Sequence, residues 1–167
     1  MKVLGIDPGL ERCGFGVINQ DGNKITALAY DCLYTAKGKE TAKRLAELFD
    51  KITLLLKKYS PAVLVMEDLF FNTNAKTAII VGQARGVIML AAEKAGIPLV
   101  SYPPLEIKMA VTGYGRAEKE QIQRMVKNIL KLLTIPKPDD TADALAVALT
   151  YCLVNKFKSK LKQNRTI

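Results

Sequence analysis

Four acidic residues of this sequence stand within or at the end of largely apolar segments, where carboxylates can do chemistry. Asp7 follows VLGI, and Glu67 ends the run AVLVM. Asp140 and Asp143 lie three residues apart in DDTADALAVAL, a spacing that places two side chains on one face of a helix. Carboxylates in such positions can bind divalent cations or transfer protons.

The sequence contains no histidine. This excludes Ser-His and Cys-His nucleophile pairs, histidine general bases and every metal site that needs histidine. The three cysteines, Cys13, Cys32 and Cys152, form no CxxC pair, and we expect them to be small buried apolar residues. If the protein is an enzyme, its carboxylates or a metal bound to them must do the chemistry.

Each acid also has a purely structural explanation. Asp7 could begin an Asp-Pro-Gly turn, and Glu67 could be a solvated strand end. Asp140 could be the N-cap residue of the last helix, with Asp143 completing a motif like a capping box.

These structural explanations weaken when the acids are considered together. If the two strands adjoin at the centre of a sheet and the last helix packs over them, several carboxylates converge, and a pair about 5 Å apart repels by roughly 3 kcal/mol. Apart from Lys137, no lysine or arginine accompanies the acids in these segments. We therefore expect a divalent cation as the neutralising charge. Oxygen ligands favour Mg²⁺ or Mn²⁺, and two such ions can activate water and stabilise the leaving oxygen of a phosphodiester.

The elements that must position these acids follow from the spacing of the apolar residues. Three short strands with tight turns predict an antiparallel meander, and alternating helices and strands then predict parallel neighbours. The expected strands span 2–7, 14–20, 24–35, 62–67 and 97–102, and the expected helices span 40–59, 74–96, 104–111, 117–133 and 139–157. We expect the helix over 74–96 to be largely buried. The order predicts an α/β fold, a mixed sheet with helices on both faces, which ribonuclease H-like and actin-like domains share.

The net charge of +9 favours a polyanionic partner, most simply nucleic acid, although a solvated basic surface is the alternative. The segment from 155 to 167 carries five lysines or arginines and no acid. We expect one domain over 1–154, followed by this basic tail over 155–167. No apolar run approaches the roughly 18 residues of a membrane helix, so a cytoplasmic location without membrane contact is expected.

Four sequence blocks resemble the RuvC family of Holliday-junction resolvases. GIDPG, MEDLFFNTNAKTA with GQARG, GYGRAEKEQI and DDTADALAVAL occur in the family's order, and the resemblance runs from about residue 2 to 154. It implies a ribonuclease H-like fold and a homodimer that nicks two opposing strands of a four-way DNA junction in recombination and repair. It also implies Mg²⁺ as the cofactor, with two ions per active site and Mn²⁺ as a substitute, and a RuvAB-type branch-migration complex as a partner. Thr77 stands where family members often have serine.

Carried over position by position, the resemblance places catalytic, metal-binding carboxylates at Asp7, Glu67, Asp140 and Asp143. The third ligand could be Asp139 instead of Asp140, because Asp139 and Asp143 also have helical spacing.

The resemblance also implies contacts with DNA. Lys108 and Lys119 would contact phosphate near the carboxylates, although both could equally be solvated helix residues. Phe70 matches an aromatic residue of the family that contacts bases at the junction. Alternatively, Phe70 could be an apolar plug of the loop that follows Glu67. Phe71 is the candidate for anchoring that loop in the core.

Two other classes of protein share some of these features. An actin-like ATPase or sugar kinase would share the strand order and the early Asp-Pro-Gly turn, but it would need a second lobe that 167 residues barely permit. The sequence has no GxxxxGK[ST] motif, which argues against a P-loop ATPase. A catalytically inactive nucleic-acid-binding module would explain the charge but has no need of four acids. The sequence therefore predicts a metal-dependent, structure-selective DNA endonuclease.

Overall fold

The computed structural model describes the backbone of residues 1–68 and 75–163 and the side chains of residues 1–68 and 77–155. The strands are β1 (Lys2–Asp7), β2 (Arg12–Asp21), β3 (Lys24–Tyr34), β4 (Val63–Glu67) and β5 (Leu99–Tyr102). The helices are α1 (Thr41–Tyr59), α2 (Ala75–Lys94), α3 (Pro104–Thr112), α4 (Lys119–Leu130) and α5 (Asp139–Gln163). The predicted element order is confirmed. Among the helices in these described ranges, none is long and apolar enough to cross a membrane.

The five strands form one mixed sheet in the order β3-β2-β1-β4-β5. β1, β2 and β3 form the predicted antiparallel meander, and β1–β4 and β4–β5 are the predicted parallel pairs. β1 and β4 are therefore neighbours at the centre of the sheet. Their register pairs Ile6 with Met66, so that the next residues, Asp7 and Glu67, lie side by side at the same edge.

Helices cover both faces of the sheet, and strand alternation divides the core between them. Leu4, Ile6 and Met66 face α1 and α2. Val3 and Val65 face α3, α4 and α5. Because side chains two residues apart share a face, Asp7 and Glu67 point towards the side that α5 covers.

Glycines allow α5 to lie directly on β1 and β2. A Cβ at Gly5 would be 2.1 Å from the carbonyl oxygen of Ala144, and a Cβ at Gly14 would be 1.9 Å from that of Asp140. Gly14 pairs with Asp7 in the β1–β2 ladder. Any larger residue would push the helix off the sheet, so these glycines bring the first turn of α5 next to Asp7.

Several sequence-based expectations need correction. α2 is only half buried: Ala84 and Ile88 face the core, whereas Ile79, Met89 and Leu90 are exposed. The reason is that α2 packs on α1 and the sheet with one side only, and no other described element covers its outer side.

The ends of two helices also differ from the predicted ones. α4 ends at Leu130, three residues early, because Lys131 adopts a left-handed conformation with φ of 54° that closes the helix. α5 begins at Asp139, so Asp140 lies in its first turn and is not the N-cap. α5 then continues to Gln163, six residues beyond its predicted end at 157. The three cysteines are buried and unpaired, as expected.

Candidate active site

Asp7 and Glu67 stand at the ends of the two neighbouring central strands of the sheet. Asp7 is the last residue of β1 and Glu67 is the last residue of β4, and the residues before them are fully buried. Both side chains are partly buried at the edge of the sheet. A pair of strand ends at the centre of a sheet fixes two carboxylates with little freedom, which suits metal ligands.

The first turns of α5 bring two further carboxylates to the same edge. Asp140 contributes to the electrostatic environment of Asp7, and its side chain is 20% exposed. Asp143, one turn later, affects both Asp7 and Glu67. The adjacent Asp139 is 62% exposed and is not among the charges that act on Asp7, so Asp140 and Asp143 lie at the strand ends, with Asp139 at the rim.

Burial and the neighbouring carboxylates raise the pKa of three of these acids, Asp7, Glu67 and Asp143. Burial, followed by the charges of Asp143, Asp140 and Glu67, raises the pKa of Asp7 to about 7. Burial and then Asp143 also raise the pKa of Glu67. Burial raises the pKa of Asp143 in the same way, although a hydrogen bond from Lys119 opposes the effect. Acids that resist ionisation together form a site in which a cation is strongly favoured.

Two basic side chains from other segments of the chain contact this cluster, and one of them, Lys119, is a residue that the sequence resemblance placed near the carboxylates. Arg12 Nε lies 3.4 Å from Asp140 Oδ2. Lys119 Nζ lies 3.0 Å from Asp143 Oδ2 and 3.3 Å from Asp139 Oδ2. Partial burial opposes the charge of Lys119, but its hydrogen bond with Asp143 raises the pKa of Lys119 overall. Arg12 begins β2 and Lys119 begins α4, so both reach the acids through the fold and not through the local sequence.

The donor atoms fit a hard divalent cation. All four ligand candidates supply carboxylate oxygen, and Asp140 Oδ2 is buried and accepts no hydrogen bond. In the described ranges, no group of three or more acidic side chains is yet arranged closely enough to enclose a cation. In this arrangement Asp140 and Asp143 contact Arg12 and Lys119, respectively. An all-oxygen set of this kind suits hard divalent cations such as Mg²⁺, Mn²⁺ and Ca²⁺.

The DNA-binding residues expected from sequence divide into two groups. Lys108 is partly buried and lines a pocket of 60 Å³ together with Glu67 and Asp143, and Lys119 contacts the acids as described above. Both lysines therefore lie beside the carboxylates. Phe70 and Phe71 lie outside the described residues.

Two arginines at the site received no role in the sequence analysis. Arg12 contacts Asp140, and Arg85 of α2 donates hydrogen bonds to the end of β4. A signal for Arg85 was present, because it belongs to the GQARG block, but the block alone did not indicate which atoms its side chain would meet. Nothing local in PGLERC distinguished Arg12 from a solvated arginine.

Comparisons with known proteins agree with this geometry. The family model described as crossover junction endodeoxyribonuclease RuvC matches residues 3–151. A protein of that name from Fusobacterium nucleatum is 49% identical over 99% of this chain and 86% of its own length. Another from Heliobacterium modesticaldum is 51% identical over 89% of this chain and 92% of its own length.

A solved structure is also closely similar. The structure described as Thermus thermophilus RuvC in complex with Holliday junction substrate superposes with a TM-score of 0.89 at 34% identity, covering 95% of this chain and 96% of that one. The resemblance drawn from four sequence blocks and the ribonuclease H-like fold are thereby confirmed.

Proposed function

This chain belongs to the RuvC family of crossover junction endodeoxyribonucleases and is a Holliday-junction resolvase, and we propose that Asp7, Glu67, Asp140 and Asp143 are its catalytic, metal-binding residues. The observation that supports this assignment most directly is the convergence of four carboxylates at one edge of the sheet, with the pKa of Asp7 raised to about 7. A non-catalytic binding module has no use for such mutual repulsion, which lowers stability. Family membership over residues 3–151 also removes the reason to consider an actin-like ATPase.

The proposed roles follow from the placement of each side chain. Asp7 and Glu67 provide ligand oxygens from fixed strand ends, and Asp140 and Asp143 complete the set from α5. When bound, two Mg²⁺ ions would supply an activated water and neutralise charge on the leaving 3′ oxygen; Mn²⁺ has the same ligand preference.

The basic residues complete the proposed chemistry. Once Asp143 turns to a cation, Lys119 is released and can bind a phosphate oxygen beside the cluster. Lys108, on the Glu67 side, is placed to offset the negative charge that develops on the phosphate in the transition state.

Cleavage of a synthetic four-way junction tests the assignment. We expect Asp7→Asn and Glu67→Gln to abolish Mg²⁺-dependent cleavage while junction binding, measured in Ca²⁺, survives or tightens because repulsion of phosphate falls. A linear duplex with the same arm sequences is the substrate control. Cleavage within about tenfold of the wild-type rate for both variants would contradict the metal-ligand assignment.

We also propose that the protein acts as a homodimer through the outer side of α2. Ile79, Met89 and Leu90 expose apolar surface on this helix, and added Cβ atoms at Gly82 and Gly86 would meet nothing within 4 Å. An uncovered apolar stripe with two small residues allows close approach of a second helix. A dimer would also present two active sites, one for each nicked strand.

A charge on this surface separates dimer formation from folding. Leu90→Glu should give a folded monomer in sedimentation, which nicks junctions without pairing the two cuts. Leu54→Glu is the matched control, because Leu54 is also an exposed leucine, on α1, and this variant should remain dimeric. A dimeric Leu90→Glu variant would place the interface elsewhere. From family membership we further propose a cytoplasmic location and a RuvAB-type branch-migration complex as a partner.

A further inference from the structure

We propose that Arg85 is a positioning residue that holds the end of β4, and so directs the Glu67 carboxylate towards Asp7. The inference rests on the proposed function, because it treats Glu67 as a metal ligand. Arg85 lies on α2, across the sheet face from α5, and does not contact the carboxylate of Glu67.

Arg85 joins three groups at the edge of the sheet. Its Nη1 donates a hydrogen bond to the backbone carbonyl of Glu67. Its Nη2 donates to Ser101 Oγ at 2.6 Å, and lies 3.4 Å from Asp68 Oδ1. The side chain is only 13% exposed. A mostly buried guanidinium that is this fully engaged has a single orientation, so it can fix the position of the groups that accept its hydrogen bonds.

The end of β4 needs such an anchor because Glu67 pairs with a neighbouring strand on one side only. The β1–β4 ladder pairs its last residues at Ile6 and Met66, one position before Glu67. On the other side, β5 still pairs with Glu67 through Tyr102, and the Asp68 N–H donates to the Tyr102 carbonyl at 2.9 Å. Arg85 binds to both β4 and β5 at this point, through the Glu67 carbonyl and Ser101. It thereby replaces the missing support on the carbonyl of the ligand residue itself.

Lysine could not reproduce this arrangement. The acceptors of Arg85 belong to two strands and lie in different directions, and a planar fork with donors on both Nη atoms reaches them simultaneously. An ammonium group would keep the charge but would satisfy the Glu67 carbonyl or Ser101, not both in the same geometry. The Arg85→Lys exchange therefore separates position from charge.

The experiment uses Arg85→Lys, Ser101→Ala and a control, Arg124→Lys, in the full-length protein. Arg124 is an exposed α4 residue that pairs with Glu120. For each variant we would measure the Mg²⁺ concentration that gives half of the thermal-shift response without DNA, the junction Kd in Ca²⁺, and the Mg²⁺ dependence of single-turnover cleavage.

We expect Arg85→Lys to fold and to bind junctions within about threefold of wild type. It should need 10–100-fold more Mg²⁺ or cleave correspondingly more slowly, because changing the hydrogen-bond partner of a metal-binding residue typically has effects of this size. Ser101→Ala should move the Mg²⁺ requirement in the same direction by a smaller factor. Arg124→Lys should change neither.

A purely structural role for Arg85 predicts a different result. Lower thermal stability with an unchanged Mg²⁺ requirement and unchanged cleavage per folded molecule would overturn the proposal. If Arg85→Lys does not fold, an unchanged Mg²⁺ requirement in Ser101→Ala overturns it as well. Glu67→Gln separates the failure of the Arg85 proposal from the failure of the metal-ligand role of Glu67. If Glu67→Gln cleaves normally, the metal-ligand role fails. If Glu67→Gln is inactive but Arg85→Lys behaves as wild type, only the positioning role fails.

Discussion

The replacement of Asp7 by asparagine should make the metal-free protein more stable, although it removes a catalytic residue. The pKa of the Asp7 carboxyl rises from 3.8 to about 7, mainly through burial and then through the charges of Asp143, Asp140 and Glu67. At about 1.36 kcal/mol for each pKa unit, ionised Asp7 costs the folded state about 4 kcal/mol. Asparagine has nearly the same shape and no charge, so it removes this cost.

The pH dependence follows from the direction of the shift. Because the folded state binds the Asp7 proton more tightly than the unfolded state, Asp7 favours folding below pH 3.8, and this contribution is lost as the pH rises through about 7. Between pH 5 and pH 8 the advantage of Asp7→Asn over the wild type should therefore grow by about 3 kcal/mol.

Urea unfolding in EDTA at pH 5, 6, 7 and 8 measures this difference. Asp50→Asn is the control, because Asp50 is exposed on α1, on the other face of the sheet. In a second series with Mg²⁺, the wild type should gain stability and Asp7→Asn should gain little, because the cation then compensates the repulsion only when the carboxylate is present.

Two results would refute this reasoning. If Asp7→Asn were less stable than the wild type at pH 8 in EDTA, the carboxylate would be making favourable contacts that outweigh its burial. If the difference between the two proteins were the same at pH 5 and pH 8, Asp7 would not titrate in this range, and the electrostatic basis for a cation site would fail.

Four further predictions concern the site and the DNA. Asp140→Asn should slow cleavage at least 100-fold and Asp139→Asn less than tenfold; the reverse ranking would shift the ligand assignment by one residue. Arg12→Gln should lower the Mg²⁺ concentration for half of the thermal shift by up to about fivefold, because an exposed ion pair worth about 0.2–1 kcal/mol no longer competes for Asp140; a higher Mg²⁺ requirement would contradict this competition. Phe70→Ala should leave junction binding within roughly tenfold of wild type but slow cleavage strongly, because base stacking is worth about 1–3 kcal/mol, and Phe70→Trp should recover much of the rate. Lower stability with unchanged cleavage per folded molecule would contradict the stacking role and favour an apolar plug of the loop. Deletion of residues 156–167 should reduce the slope of log Kd against log salt if this segment binds phosphates, and an unchanged slope would show that it does not.

Much of the fold could be predicted from the sequence because its signals are local. Alternation and tight turns define the meander, and the helix–strand alternation defines the parallel half of the sheet. Asp7 and Glu67 could be placed at strand ends because each follows an uninterrupted buried run. Their adjacency then followed from the parallel pairing of the first and fourth strands.

Other features depended on distant parts of the chain. Composition correctly indicated a small apolar role for the cysteines, but the exposure of Ile79 and Leu90 on α2 could not be read from hydrophobicity, since an apolar residue is equally compatible with the core and with an uncovered surface. The ends of α4 and α5 were likewise set by backbone conformation and by neighbouring segments.

The contacts between basic side chains and the acids of the site depend on the tertiary structure. Arg12 and Lys119 reach Asp140 and Asp143 only because Gly5 and Gly14 let α5 settle against the sheet. Arg85 is a similar case, since its acceptors come from two strands that precede and follow its own helix. An ion pair or a hydrogen bond depends on atoms a few ångströms apart, whereas the sequence pattern reports only burial and direction. The acids and Lys119 could therefore be found from the chain, but the atoms that Arg12, Lys119 and Arg85 contact became visible only once the chain was folded.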